Sequence, residues 1–172
     1  MQTEPVREEG RRALAERDAG YGGGEEVPLG GYAVLAATYA GLVTLGLARL
    51  GKKLPSRYSL ADLLLLGIAT HKLARTLTKA KVTSPIRAPF VHYEGPAGFG
   101  ELKDDSRGRG LRRAVGDLLT CPWCAAPWVA APLLFGLTVR PRTTRALAAL
   151  AVAVTISDFL NYAQMAMKNE VA

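Results

Sequence analysis

Long apolar runs without charge constrain this chain more than any other feature of its sequence. Residues 30–48 and 118–139 contain no charged side chain, and residues 146–167 contain only Asp158. About 20 apolar residues, each adding about 1.5 Å of helix, span the roughly 30 Å hydrocarbon core of a bilayer. The three runs therefore predict membrane-spanning helices.

A fourth run, at residues 59–78, is weaker. Ser59 is a favourable N-cap, but four ionisable residues interrupt the apolar pattern: Asp62, His71, Lys72 and Arg75. The charge-free part is about half of a full span. The helix either crosses the bilayer, with its charged side chains reaching the two interfaces, or lies along the surface as an amphipathic helix. We predict that it crosses.

These runs predict an all-α, polytopic membrane protein with about four transmembrane helices in two hairpins and both termini on one side. The predicted spans are residues 30–49, 59–78, 118–139 and 146–167. Residues 1–29 are acidic and contain a glycine-rich stretch, so they are predicted to form a flexible tail ahead of a helical membrane domain at 30–172.

One long polar loop, residues 79–117, separates the two predicted hairpins. Pro85 and Pro89 predict extended or turn geometry within it, and residues 111–119 predict a short amphipathic helix. In the first span, Ala33, Ala37 and Gly41 recur every four residues. This spacing of small side chains lets another helix approach closely.

The chain is basic, with a formal net charge of +7, and its Lys and Arg residues cluster beside the apolar runs. This arrangement is typical of membrane helices held against lipid headgroups, so the predicted partner is the lipid bilayer. A second copy of the chain or another membrane protein is a further candidate partner. Nucleic acid is excluded, since no basic stretch is interleaved with aromatic residues. The larger set of basic residues favours cytoplasmic termini, whereas the shorter loops favour the opposite orientation.

The pair Cys121-Pro-Trp-Cys124 lies at the start of the third span. A helix start lowers the pKa of a thiol, which suits a redox pair, but no βαβ pattern surrounds it. Zinc or iron is the second interpretation, because Cys121, Cys124, His71 and His92 together supply four ligands. The third is that the thiols pack at an interface or form a simple disulfide. The sequence leaves these alternatives open.

Asp158 is a carboxylate inside an apolar span, which is costly without a partner or water. Arg75, Lys72 and His71 of the second helix are its candidate partners. A structural ion pair is favoured over a transport or proton-relay role. Arg87, between the two prolines, could bind headgroup phosphates or the acidic tail, although an ordinary arginine near the membrane surface is favoured.

Three motifs carry a resemblance to a known family: residues 65–77, residues 82–90 and residues 118–129. Together they resemble the bacterial membrane proteins catalogued as domain of unknown function 1360, over about residues 60–165. The resemblance implies a small membrane protein, in some members related to sporulation, and implies no activity. It marks these positions: His71, Lys72, Arg75, Arg87, Cys121, Trp123, Cys124 and Trp128.

The sequence thus favours a non-enzymatic structural or assembly component of the bacterial membrane or envelope, with a link to sporulation or development implied by the resemblance. Its predicted location is the cell membrane, as a multi-pass protein. The first alternative is a metal-binding or thiol-redox membrane protein that uses Cys121 and Cys124. The second is a small transporter or channel component that uses Asp158.

Overall fold

The computed structural model describes residues 20–23 and 27–171. Most of the predicted flexible tail therefore lies outside the described residues. The helices from residue 27 onward are α1 (Leu29–Leu50), α2 (Leu60–Lys79), α3 (Ser84–Arg87), α4 (Leu111–Thr120), α5 (Pro122–Val139) and α6 (Pro141–Val171). The strands are β1 (Val91–Gly98) and β2 (Glu101–Ser106), and single 3-10 turns occupy Gly51–Lys53 and Lys81–Thr83.

Three helical stretches are long and apolar enough to cross a membrane: Leu29–Lys53, Pro122–Val139 and Pro141–Lys168. They correspond to the three charge-free runs of the sequence. None of the apolar window of the first is buried inside the protein, and only 11% of each of the other two is buried. The fold thus leaves most of this apolar surface uncovered, which in water would be strongly unfavourable.

The second predicted span forms one continuous helix, α2. Unlike the three stretches above, α2 is not apolar enough to count as a membrane span by its hydropathy. Ser59 caps it, because its hydroxyl accepts a hydrogen bond from the backbone N–H of Asp62 at 3.0 Å. With 20 residues, α2 is about 30 Å long. Its length therefore suits a membrane crossing.

The prediction that the chain is all-α is wrong, because the long loop contains a two-stranded antiparallel sheet, β1 and β2. The pairing runs from Val91 opposite Ser106 to Gly98 opposite Glu101, with two register shifts. Gly98 and Gly100 adopt φ values of 134° and 75° at the turn, a region that glycine enters at little cost. The strands are polar and contain proline, so they lack the alternating pattern by which strands are recognised.

The two prolines lie in turns, one of the two geometries predicted for them: Pro85 in the single helical turn α3 and Pro89 in the turn that follows it. The 3-10 turn Lys81–Thr83 leads directly into the helical turn α3. Pro85 lies in the first turn of α3, where its missing N–H would have no partner in any case. The short helix predicted at 111–119 is present as α4.

Small side chains form the packed centre. Ala69, Ala148 and Ala151 are buried together, with Leu65 and Leu133 against them, so α2, α5 and α6 meet closely. At the other contact, α1 approaches α4 through Gly31, where an added Cβ would lie 2.7 Å from the Cβ of Ala114. The predicted stripe at Ala33, Ala37 and Gly41 is exposed, and other glycines make the close approaches within this chain.

Contacts along the helices define their directions. The start of α1 lies beside α4 and its end beside Phe135 of α5, so α1 and α5 run away from the polar loop. Asp62 pairs with Arg145 and Lys72 with Asp158, so α2 and α6 run in the same direction, towards that loop. Together, the two ion pairs therefore fix the position of α2 along the axis of α6.

We expect Gly31→Ala to destabilise the fold by about 1–3 kcal/mol, the usual range for overpacking. The new methyl group would meet the backbone oxygen of Gly110 at 2.8 Å as well as Ala114. Gly30→Ala is the matched control, because an added Cβ there meets nothing within 4 Å. Thermal unfolding of the detergent-purified variants measures the difference, and equal melting temperatures would contradict the close contact.

Candidate functional site

A cleft of about 460 Å³ opens between α2, α6 and the turn of the β-hairpin. Four residues singled out from the sequence line it: His71, Lys72, Arg75 and Asp158. The hairpin turn contributes Phe99, Gly100 and Glu101, and α6 adds Asn161 and Tyr162. The cleft is the place where the largest group of predicted site residues comes together.

Lys72 and Asp158 form an ion pair across the cleft, joining α2 to α6. Their side chains are 22% and 41% exposed, so the pair is only partly shielded from solvent. Lys72 is one of the three partners that the sequence suggests for Asp158. A carboxylate in an apolar span is thus matched by a cation on the neighbouring helix, which lowers its cost there.

Arg75 and Glu101 form the second ion pair of the cleft. Arg75 donates from Nε to Oε1 at 2.6 Å and from Nη2 to Oε2 at 2.8 Å, so the contact is bidentate. Glu101 reaches this position because the backbone N–H of Lys81 donates to the carbonyl of Gly100 at 3.0 Å. The sequence does not single out Glu101, since its place depends on how the hairpin folds back onto the end of α2.

Arg87 is fully buried, at 0% exposure, and the expectation of an ordinary surface arginine is wrong. Its Nη2 lies 2.7 Å from Oδ2 of Asp104 on β2, which is itself only 5% exposed. Its Nη1 donates to Thr83 Oγ1 at 2.6 Å and to the carbonyl oxygens of Leu77 and Ala80 at 3.0 Å each. One side chain therefore ties the end of α2, the 3-10 turn, α3 and the hairpin together.

A further ion pair lies at the opposite end of α2. Arg145 of α6 donates from Nε to Oδ1 of Asp62 at 2.8 Å and from Nη2 to Oδ2 at 3.0 Å. Asp62 also accepts a hydrogen bond from the Ser59 hydroxyl at 2.9 Å. Ion pairs thus join α2 to its neighbours at both ends.

The cysteines lie apart from the residues that line the cleft. Cys121 is the N-cap of α5, and its Sγ accepts a hydrogen bond from the backbone N–H of Cys124 at 3.2 Å. Both thiols are free, Cys121 partly buried and Cys124 exposed. Nearby, Asp117 accepts hydrogen bonds from the Tyr32 hydroxyl at 2.7 Å and from the Ser106 hydroxyl at 2.5 Å.

The four candidate metal ligands are not brought together within this chain. His71 lines the cleft, whereas Nε2 of His92 on β1 lies 4.0 Å from a carboxylate oxygen of Asp105. Among the described residues, His92, Glu94 and Asp105 are the group whose potential ligand atoms lie within 4.8 Å of one another, and all three are exposed. Lys103 lies 2.9 Å from Glu94, and this hydrogen bond raises the pKa of Lys103.

The two tryptophans lie in different surroundings. Trp123 is 83% exposed, between the two cysteines, while Trp128 packs against Tyr39 of α1. The centroids of these two rings are 5.4 Å apart and their planes are tilted by 54°, a favourable arrangement for an aromatic pair. Trp128 therefore helps to hold α1 on α5, and Trp123 presents an aromatic surface at the loop end of the molecule.

Comparison with known proteins identifies one family. The family described as "Protein of unknown function (DUF1360)" matches residues 65–164, more than half of the 172-residue chain. The match includes the cleft residues of α2 and α6, the buried Arg87 and the cysteine pair. No curated protein and no solved structure matches.

We expect Arg87→Lys to lower the free energy of unfolding by about 1–3 kcal/mol, the usual cost of leaving buried hydrogen-bond acceptors unsatisfied. A lysine cannot reproduce the planar fork that contacts Asp104, Thr83 and two carbonyl oxygens. Arg107→Lys is the matched control, because Arg107 is exposed and its side chain donates to the carbonyl of Ala88. Denaturant unfolding in detergent compares them, and an equal small effect at both positions would refute the central role of Arg87.

Proposed function

We propose that this chain, which belongs to the DUF1360 family of proteins of unknown function, is a non-enzymatic structural or assembly component of a bacterial membrane. The observation that carries this proposal is the pairing of charged side chains between different elements of the fold. Four ion pairs join different elements and hold them together: Lys72–Asp158, Arg75–Glu101, Arg87–Asp104 and Asp62–Arg145.

Four membrane crossings are part of the proposal. The exposed apolar surfaces of α1, α5 and α6 are suited to lipid, and α2 adds Leu63, Leu64 and Ile68, which are 50%, 57% and 40% exposed. The charged residues of α2 meet partners from α6 and the hairpin near its two ends. A surface helix would instead turn these residues to water, so the pairing favours a crossing.

The same geometry supports the non-enzymatic assignment. Three of the side chains that the sequence offers for chemistry have structural partners: Asp158 pairs with Lys72, Arg87 is held in the loop, and Cys121 caps α5. A general acid, base or nucleophile needs a reacting group that is free to contact substrate. The ion pairs instead fix the positions of α2, α6 and the hairpin, as expected of a scaffold.

The proposed orientation combines the directions of the helices with the distribution of basic residues. With four crossings, the polar loop and both ends of the membrane domain lie at one face, and the short α1–α2 and α5–α6 connections lie at the other. The larger set of Lys and Arg residues favours a cytoplasmic position for the first face of a cell-membrane protein. A connection to the envelope or to sporulation comes from the family resemblance.

One observation favours a second candidate function, a small transporter or channel component that uses Asp158. This carboxylate lines the cleft and its side chain is 41% exposed, so solvent reaches it. Intramembrane carboxylates in water-filled cavities serve ion pathways and proton relays. The two candidates differ in what they require at position 158: a scaffold needs one member of an ion pair, and a relay needs a carboxylate.

Exchanging the charges of Lys72 and Asp158 separates these candidates. We expect Lys72→Asp alone to lower the melting temperature through repulsion between carboxylates, and the double variant Lys72→Asp with Asp158→Lys to recover most of the loss. The double variant should also complement a strain that lacks the protein. Recovered stability without complementation would favour a relay and contradict the scaffold.

Labelling of single cysteines tests the four crossings. In a Cys121→Ser, Cys124→Ser background, cysteines replace the exposed residues Arg57, Lys103 and Arg142 one at a time. We expect a membrane-impermeant maleimide to label positions 57 and 142 in intact cells, and position 103 only after permeabilisation. If α2 does not cross, positions 57 and 103 will react alike and position 142 will differ. Release of the protein from membranes by alkaline carbonate would refute membrane insertion altogether.

A further inference from the structure

We infer that the cleft between α2, α6 and the hairpin turn binds the zwitterionic headgroup of a phospholipid, a group with one phosphate and one amine. The lipid source rests on the proposed membrane location. A cleft of about 460 Å³ falls within the roughly 300–1,000 Å³ range of small-ligand sites. It opens where the polar hairpin meets the exposed apolar helices, the level at which headgroups lie.

The balance of charge in the cleft favours a ligand with both signs. Lys72 and Arg75 supply two positive charges, and Glu101 and Asp158 supply two negative charges. These four formal charges cancel. A ligand with a net charge therefore gains little overall attraction, whereas a zwitterion can place each of its charges beside an opposite one.

The side of the cleft formed by α2 has hydrogen-bond donors that remain free to bind a phosphate. Arg75 uses Nε and Nη2 to hold Glu101, while its Nη1 donates to no described residue and its side chain is 44% exposed. His71 is exposed, and its side chain makes no hydrogen bond or ion pair with any described residue. Guanidinium and imidazole groups both donate hydrogen bonds to phosphate oxygens, so His71 and Arg75 are assigned to the phosphate.

The side of the cleft that carries the carboxylates suits the amine of the headgroup. The carboxylates of Glu101 and Asp158 accept hydrogen bonds from a primary ammonium group, and the ring of Tyr162 attracts a cation through its face. Each carboxylate is also held by a cation of α2, which fixes its position in the cleft. The two ends of a phosphoethanolamine group thus find complementary groups on the two sides.

The rim of the cleft distinguishes a lipid from a free phosphate ester. Phe99 and Phe159 line the cleft and are 72% and 70% exposed, and Met165 lies beside them. Exposed phenylalanine rings next to charged groups suit the boundary between headgroups and acyl chains, as on interfacial helices whose apolar face carries Trp, Phe or Leu. A soluble ligand would leave these rings uncovered, whereas acyl chains would cover them.

Binding to the full-length, delipidated protein in detergent tests the inference. The probes are dihexanoyl phosphatidylethanolamine, dihexanoyl phosphatidylglycerol and chain-free glycerophosphoethanolamine, titrated by calorimetry. We expect one saturable phosphatidylethanolamine site, about tenfold tighter than phosphatidylglycerol, which corresponds to about 1.4 kcal/mol. The chain-free probe should bind about tenfold more weakly, since it cannot cover the apolar rim. Equal affinity for the two lipids, or for the lipid and the chain-free probe, would overturn the assignment.

Three variants show whether the cleft itself is responsible. His71→Ala should weaken phosphatidylethanolamine binding about fivefold at an unchanged melting temperature, because His71 supports no described contact. Glu101→Gln should shift the preference towards phosphatidylglycerol, because it leaves the cleft with a net positive charge. Lys103→Gln, the control, removes a cation paired with Glu94 on the same hairpin but outside the cleft lining, and should leave both affinities unchanged.

Either of two results for these variants would refute the cleft as the headgroup site: equal effects of His71→Ala and Lys103→Gln, or an unaltered lipid preference in Glu101→Gln. The cysteine labelling tests membrane crossing separately. A protein that crosses the membrane as proposed but does not distinguish headgroups contradicts this inference alone.

Discussion

A charge among apolar helices is stable only beside its counter-charge, and this constraint organises the molecule. Taking an isolated ion out of water costs several kcal/mol, which a partner and further hydrogen bonds offset. In this fold the partner comes each time from a different element: α6 for Asp62 and Lys72, the hairpin for Arg75 and Arg87. Pairing the charges and assembling the helices are therefore one process.

Arg87 shows the constraint most clearly, because its burial sets the position of the hairpin. Its guanidinium contacts two carbonyl oxygens near the end of α2, the Thr83 hydroxyl and the Asp104 carboxylate. The hairpin held in this way presents Glu101 to Arg75 and closes one side of the cleft. A side chain outside the cleft thus determines where one wall of the cleft lies.

The sequence predicts the parts of this structure that depend on local pattern. Hydropathy places α1 and α2 within one residue at each end, because a run of apolar side chains is a property of adjacent residues. The hairpin was missed, since its strands are polar and their pairing brings together residues up to 15 positions apart, such as Val91 and Ser106. The burial of Arg87 was missed for the same reason, because Asp104 lies 17 residues away. In the sequence, the cleft is indicated only by Asp158 and its candidate partners on α2.

The ion pairs between α2 and α6 have a consequence for the order in which the chain is made. Asp62 and Arg145 are separated by 83 residues, and Lys72 and Asp158 by 86. When α2 leaves the ribosome, the side chains that neutralise it have not yet been synthesised. In the proposed topology with four crossings, α2 is the helix that falls short of a membrane span by its own hydropathy, so its stable insertion would wait for α6. Insertion of the second helix would then be a late event, completed by the last of the four proposed crossings.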